Sequence, residues 1–110
     1  MAPKNFLGEF EQMLLLAIMR KGDGAFAVEV RRELAERTGR TVARGAFYTT
    51  LDRLHAKGYL EWTTRPVDDW RGGRPQRHFR VTPEGLEQLH RSHAALTSLW
   101  QGLEDFEKRT

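Results

Sequence analysis

Residues 43–60, ARGAFYTTLDRLHAKGYL, leave the least freedom to any fold this chain adopts. Phe47, Leu51 and Leu54 recur at i, i+4 and i+7, which places them on one stripe of a helix. Gly45, Thr49, Asp52, Arg53 and Ala56 fall on the opposite side, with Arg44 and Tyr48 flanking them. That outer side is small, polar and able to hydrogen-bond. Gly58 stands where a helix-ending left-handed residue is wanted. Directly after it the spacing changes from helical to alternating in YLEWTTR. A short two-faced helix must therefore run straight into a strand.

The neighbouring stretches extend that unit. Residues 7–20 carry Leu7, Phe10, Leu14, Ala17 and Ile18 at helical spacing, and Met13, Leu15 and Leu16 widen the apolar surface beyond one stripe. Lys21, Gly22, Asp23 and Gly24 form a break. A second helix is expected over residues 25–37, with Ala27, Val30 and Leu34 inside and Glu29, Arg31, Arg32, Glu33, Glu36 and Arg37 outside. Gly39 ends it, and a brief connector leads into the helix already described. Two helices joined by so short a turn, the second with a polar outer side, fit a helix-turn-helix.

Residues 59–65 and 76–81 both alternate, with Leu60, Trp62, Phe79 and Val81 on their apolar sides. PVDDWRGGRP lies between them and reads as the tip of a hairpin longer than a simple connection needs. Trp70 in this polar loop is either tucked back onto the domain or open to a partner. Thr82 then suits a helix N-cap, Pro83 the first helical position and Glu84 the positive end of the dipole. Leu86, Leu89, His93, Leu96, Trp100 and Leu103 follow at steps of three and four, with Leu99 and Phe106 as a second line. A helix of about 25 residues, about 38 Å long, is expected there. The preceding domain is too small to cover it, so the stripe asks for a second chain.

Composition narrows the function. There is no cysteine, which excludes disulfide scaffolds, thiol catalysis and thiolate metal sites. Apolar residues at 39% and charged residues at 30% are those of a soluble globular chain, and 110 residues suffice for one modest core. MLLLAIM is too short to span a bilayer, and no signal-peptide pattern precedes it, so a soluble, cytoplasmic protein is expected. The net charge of +3 is modest, but Arg65, Arg71, Arg74, Arg77 and Arg80 crowd one segment against only Asp68 and Asp69. Such a concentration suits a polyanion. His90 and His93 share a helix side with Glu87, yet no third strong ligand accompanies them, so no metal is expected. No phosphate-binding loop, nucleophile elbow, paired-carboxylate or zinc-protease motif appears, so neither an enzyme nor a cofactor is expected.

Four segments in this order, LGEFEQMLLLAIM, VEVRRELAERTGR, GAFYTTLDRLHAKGYL and GGRPQRHFRVTPEG, resemble the PadR family of bacterial transcription regulators. The resemblance spans nearly the whole chain and is to the short branch of the family. It implies a mainly α fold with a small β-hairpin: a winged helix-turn-helix over residues 1–81 and a long C-terminal dimerisation helix over residues 82–110. It implies a homodimeric repressor on double-stranded DNA with a pseudo-palindromic operator, and a small aromatic effector that releases it. The chain departs from the family pattern at Ala43, where a capping serine is common, and at Ala27, where glycine or a similar turn residue is common.

On this reading Arg44, Gly45, Tyr48, Thr49 and Arg53 contact DNA from the helix, and Arg71, Arg74 and Arg77 from the hairpin. The plainer alternative is a solvated helix side and a soluble loop tip. Leu7, Phe10, Leu14, Leu89, His93, Leu96, Trp100 and Leu103 are expected at the dimer interface. Leu96 and Trp100 are the candidates for an effector site, against simple dimer packing. The rival from another class is a winged-helix module that binds protein and not DNA.

Overall fold

A computed structural model gives the fold and describes residues 6–66 and 75–107. Three helices come first: α1 (Glu9–Lys21), α2 (Ala27–Thr38) and α3 (Arg44–Ala56). Two strands follow, β1 (Leu60–Arg65) and β2 (Gln76–Val81), then α4 (Pro83–Trp100) and one short turn of helix, α5 (Glu104–Glu107). The mainly α winged helix expected from the sequence is the fold observed.

Helix α1 starts at an extended Gly8, whose amide donates to Glu11 Oε1 at 2.9 Å. Its first turn is acidic and its last turn carries Arg20 and Lys21, both in the sense the helix dipole favours. Leu14, Leu15, Ala17 and Ile18 are buried along it. They meet Val30 and Leu34 of α2, Phe47, Leu51 and Leu54 of α3, and Leu60 and Phe79 of the hairpin in one core. Burying a leucine or phenylalanine of this size contributes about 1.5–3 kcal/mol, so this cluster dominates the stability of the domain.

Helix α2 begins two residues later than the spacing suggests. Residues 25 and 26 stay out of the helix because they serve the sheet: the Phe79 amide donates to the Ala25 carbonyl at 2.9 Å, and the extended Phe26 bridges His78. His78 Nε2 lies 3.1 Å from the Gly22 carbonyl, and its ring meets Phe26 edge-on. The hairpin is thus pinned to the α1–α2 turn. At the other end of α2, Gly39 is left-handed at φ 69° and its amide donates to Ala35.

Helix α3 ends in both bonds of a Schellman motif. The Gly58 amide donates to His55 and the Tyr59 amide to Leu54, each at 3.0 Å, with Gly58 at φ 82°. The chain leaves this turn directly into β1, which pairs antiparallel with β2 in the register Leu60↔Val81, Trp62↔Phe79, Thr64↔Arg77.

Thr82 caps α4, its hydroxyl accepting from the Gly85 amide at 3.0 Å and donating to the Gly58 carbonyl at 2.7 Å. Only the first half of α4 packs on the domain, through Gly85, Gln88, Leu89 and Ser92. The helix is shorter than expected. It has 18 residues, about 27 Å, and stops at Gln101 because Gly102 turns left-handed at φ 84°.

Candidate nucleic-acid interface

The exposed side of α3 carries Arg44, Gly45, Thr49, Asp52 and Arg53, as the sequence spacing predicts. Nothing lies within 4 Å of where a Gly45 side chain would begin, so this stretch of helix is open ground. Tyr48 is half-buried. Its ring stands perpendicular to Phe47 at 5.3 Å, and the Arg44 guanidinium lies 5.5 Å from its centre. Ala43 is extended at the N-cap and makes no side-chain hydrogen bond, so the first turn of α3 is left uncapped.

The base of the hairpin is tied to α3 through a row of rings. Trp62 of β1 lies 4.3 Å from the His55 ring of α3, tilted by 32°, and meets Phe79 edge-on at 5.9 Å. Arg77 sits 4.7 Å from the Trp62 centre. Arg80 is paired with Glu61 across the strands. Arg71 and Arg74, with Trp70, Gly72 and Gly73, lie outside the described residues.

Between α2, α3 and β2 opens a cleft of about 500 Å³, lined by Val28, Arg31, Arg44, Tyr48, Gln76 and Arg77 among others. Spacing places Arg31 on the solvated side of α2. It sits instead at the edge facing α3, where Nη2 donates to the Val42 carbonyl at 3.2 Å and the guanidinium lies 5.7 Å from the Phe47 ring. Its place one residue after the buried Val30 was the available signal.

No acidic side chain lines that cleft among the described residues. Glu33 accepts from Arg20 at 2.8 Å and Arg37 at 2.6 Å, and these two guanidiniums hold its carboxyl below the ordinary range. Glu11 is buried, which pushes its carboxyl up. The hydrogen bond from Lys57 at 2.8 Å, the Gly8 amide and the charges of Lys57 and Arg53 outweigh that, and the net shift is downward.

The residues expected at a dimer interface divide. Leu7, Leu14 and Leu89 face the core of their own chain, and Leu14 is 0% exposed, so they have no surface to offer a second copy. Those three assignments are corrected: the α1 stripe and the first half of α4 are consumed by the fold itself. Phe10 is half-buried beneath the Arg40 guanidinium at 5.3 Å. His93, Leu96, Trp100 and Leu103 are exposed, and Leu99 beside them is 72% exposed. Among the described residues no three histidine or acidic side chains are placed to hold a metal, and no helix is long and apolar enough to cross a membrane.

Residues 15–91 match the model of the transcriptional regulator PadR-like family. The chain belongs to that family. PadR-like regulators are DNA-binding proteins of transcription and not enzymes, and the match runs from within α1 through the helix-turn-helix and hairpin into the first half of α4. A search of curated proteins finds no match. Solved structures agree on the PadR-like fold. A PadR-like transcription factor from Bacteroides fragilis is 18% identical with a TM-score of 0.71, each chain covered over 88%. A PadR-like regulator from Bacillus cereus is 20% identical with a TM-score of 0.70, covering 88% of this chain and 89% of its own. A Streptococcus transcriptional regulator is 23% identical with a TM-score of 0.69, covering 89% and 91%.

Proposed function

We propose that this PadR-like regulator is a homodimeric repressor acting in the cytoplasm on a pseudo-palindromic operator. Its head, residues 1–81, presents α3 to the major groove. Arg44, Gly45, Tyr48, Thr49 and Arg53 make the contacts there, and Arg77 contributes from the hairpin base with Arg71 and Arg74 from its tip. The observation that carries this reading is the open, carboxylate-poor side of α3 beside a hairpin stacked onto the same helix. Residues 82–110 form the dimer arm, whose outer half exposes Leu96, Leu99, Trp100 and Leu103. Those four line a shallow apolar hollow of about 150 Å³. In the dimer, Leu96 and Trp100 would offer a flat aromatic effector its platform, and binding there would shift the spacing of the two heads.

A gel-shift titration with the DNA upstream of the chain's own gene tests the reading. Thr49→Ala with Arg53→Ala is expected to abolish the preference for that DNA over an unrelated duplex. Arg71→Ala with Arg74→Ala is expected to weaken binding to both and to make the salt dependence shallower. Wild-type protein that binds no DNA would sink the proposal.

A further inference from the structure

The arginines of the described residues differ in what faces them. Arg20, Arg37, Arg40 and Arg80 each meet a glutamate. Arg31, Arg44 and Arg77 meet no carboxylate among the described residues, yet all three line the one cleft between α2, α3 and β2. Each is also seated against a different aromatic ring: Arg31 against Phe47 at 5.7 Å, Arg44 against Tyr48 at 5.5 Å, Arg77 against Trp62 at 4.7 Å. A ring beside a guanidinium restrains its position through the cation–π attraction and leaves its N–H donors available. Three elements thus deliver three restrained, like-charged groups to one place. Like charges gathered along one cleft favour an anion among them.

The geometry points to this cleft as the seat of a DNA backbone phosphate, with Arg31 of the supporting helix as a contact residue alongside Arg44 and Arg77. The inference rests on the DNA-binding reading above and adds a residue that neither the reading helix nor the hairpin supplies. A phosphodiester presents several acceptor oxygens to several donor forks at once. Arg31 commits one nitrogen to Val42, which fixes the connector before α3, and keeps further N–H groups for the anion. The cleft flanks α3, so it suits the backbone strand beside the groove, while the exposed side of the helix faces the bases.

The test measures fluorescence anisotropy over a range of salt concentrations. The two probes are the chain's own upstream region and an unrelated duplex of equal length. Arg31→Gln is expected to weaken both by about tenfold and to lower the slope of log K against log salt by about one, while Arg31→Lys keeps the wild-type slope. Val28→Glu is the companion variant. Val28 is 57% exposed at the rim of the cleft in the first turn of α2, so a carboxylate there leaves the core intact and enters the seat. It too is expected to weaken both duplexes, and it decides the matter if circular dichroism shows Arg31→Gln unfolded. Wild-type slopes in both variants would overturn the seat alone. So would a loss in Arg31→Gln confined to the upstream region at unchanged slope, which is the mark of a displaced α3. A wild-type protein that binds neither duplex overturns the DNA reading and the seat together.

Discussion

At the scale of the residue, Glu11 is the side chain whose role is largest for its size. It caps α1 through the Gly8 amide and holds Lys57 at the far end of α3. Its carboxyl sits below the ordinary glutamate value of 4.5 in the folded state. A group lowered in the folded state contributes stability above its unfolded pKa and loses it as pH falls through the folded pKa. The link is therefore fully present at neutral pH and fades from about pH 4.5 downward. Glu11→Gln should cost about 1 kcal/mol at pH 7, a figure kept small because Lys57 is partly exposed. The gap between the two proteins in urea titrations should close as the pH falls below 4.5. Equal stabilities at pH 7 would show the bond to be ornamental. None of this was legible in the sequence, where Glu11 and Lys57 are 46 residues apart and look like ordinary surface charges.

At the scale of the element, α3 and β1 were the most legible, because the apolar period changes from helical to alternating at Gly58. The start of α2 was misread by two residues. The spacing of Ala25 and Ala27 is compatible with helix, and only the distant strand β2 draws Phe26 into a bridge and donates to the Ala25 carbonyl. The end of α4 was misread too: its apolar steps continue to Leu103, but Gly102 turns the backbone first. Ala43, which has no side-chain acceptor, leaves the start of α3 uncapped. Ala43→Ser, at a backbone already extended, should stabilise the protein by about 1 kcal/mol and raise the melting temperature by about 4–8 °C. A differential scanning measurement checks it. In the opposite direction, Gly85→Ala would set a Cβ 2.3 Å from the Tyr59 carbonyl oxygen. A loss of about 3 kcal/mol is expected, visible as a lower denaturant midpoint, since two backbone segments must part.

At the scale of the whole molecule, the proposed dimer rests on the outer part of the arm. The sequence marked its stripe but could not divide it, because the same steps of three and four serve the core up to Ser92 and lie exposed from Leu96 onward. Leu99→Asp changes a side chain that contributes nothing to the core. It should leave the melting of the head unchanged, shift the sizing profile from dimer to a monomer of 12.8 kDa, and weaken operator binding by uncoupling the two heads. A dimer that survives this substitution would place the interface elsewhere.

The joint at Thr82 makes the molecule a lever with a short fulcrum. Thr82 holds the Gly58 carbonyl by its hydroxyl and the Tyr59 carbonyl by its amide at 3.1 Å, and Gly85 lies against the same Tyr59 oxygen. The last turn of α3 and the first turn of α4 are thus fastened through three residues with no slack between them. A tilt of the arm has nowhere to dissipate before it reaches the end of α3. On the proposed reading, a small rotation imposed far out, near Leu99, would arrive there as a change in the pitch of the helix presented to DNA.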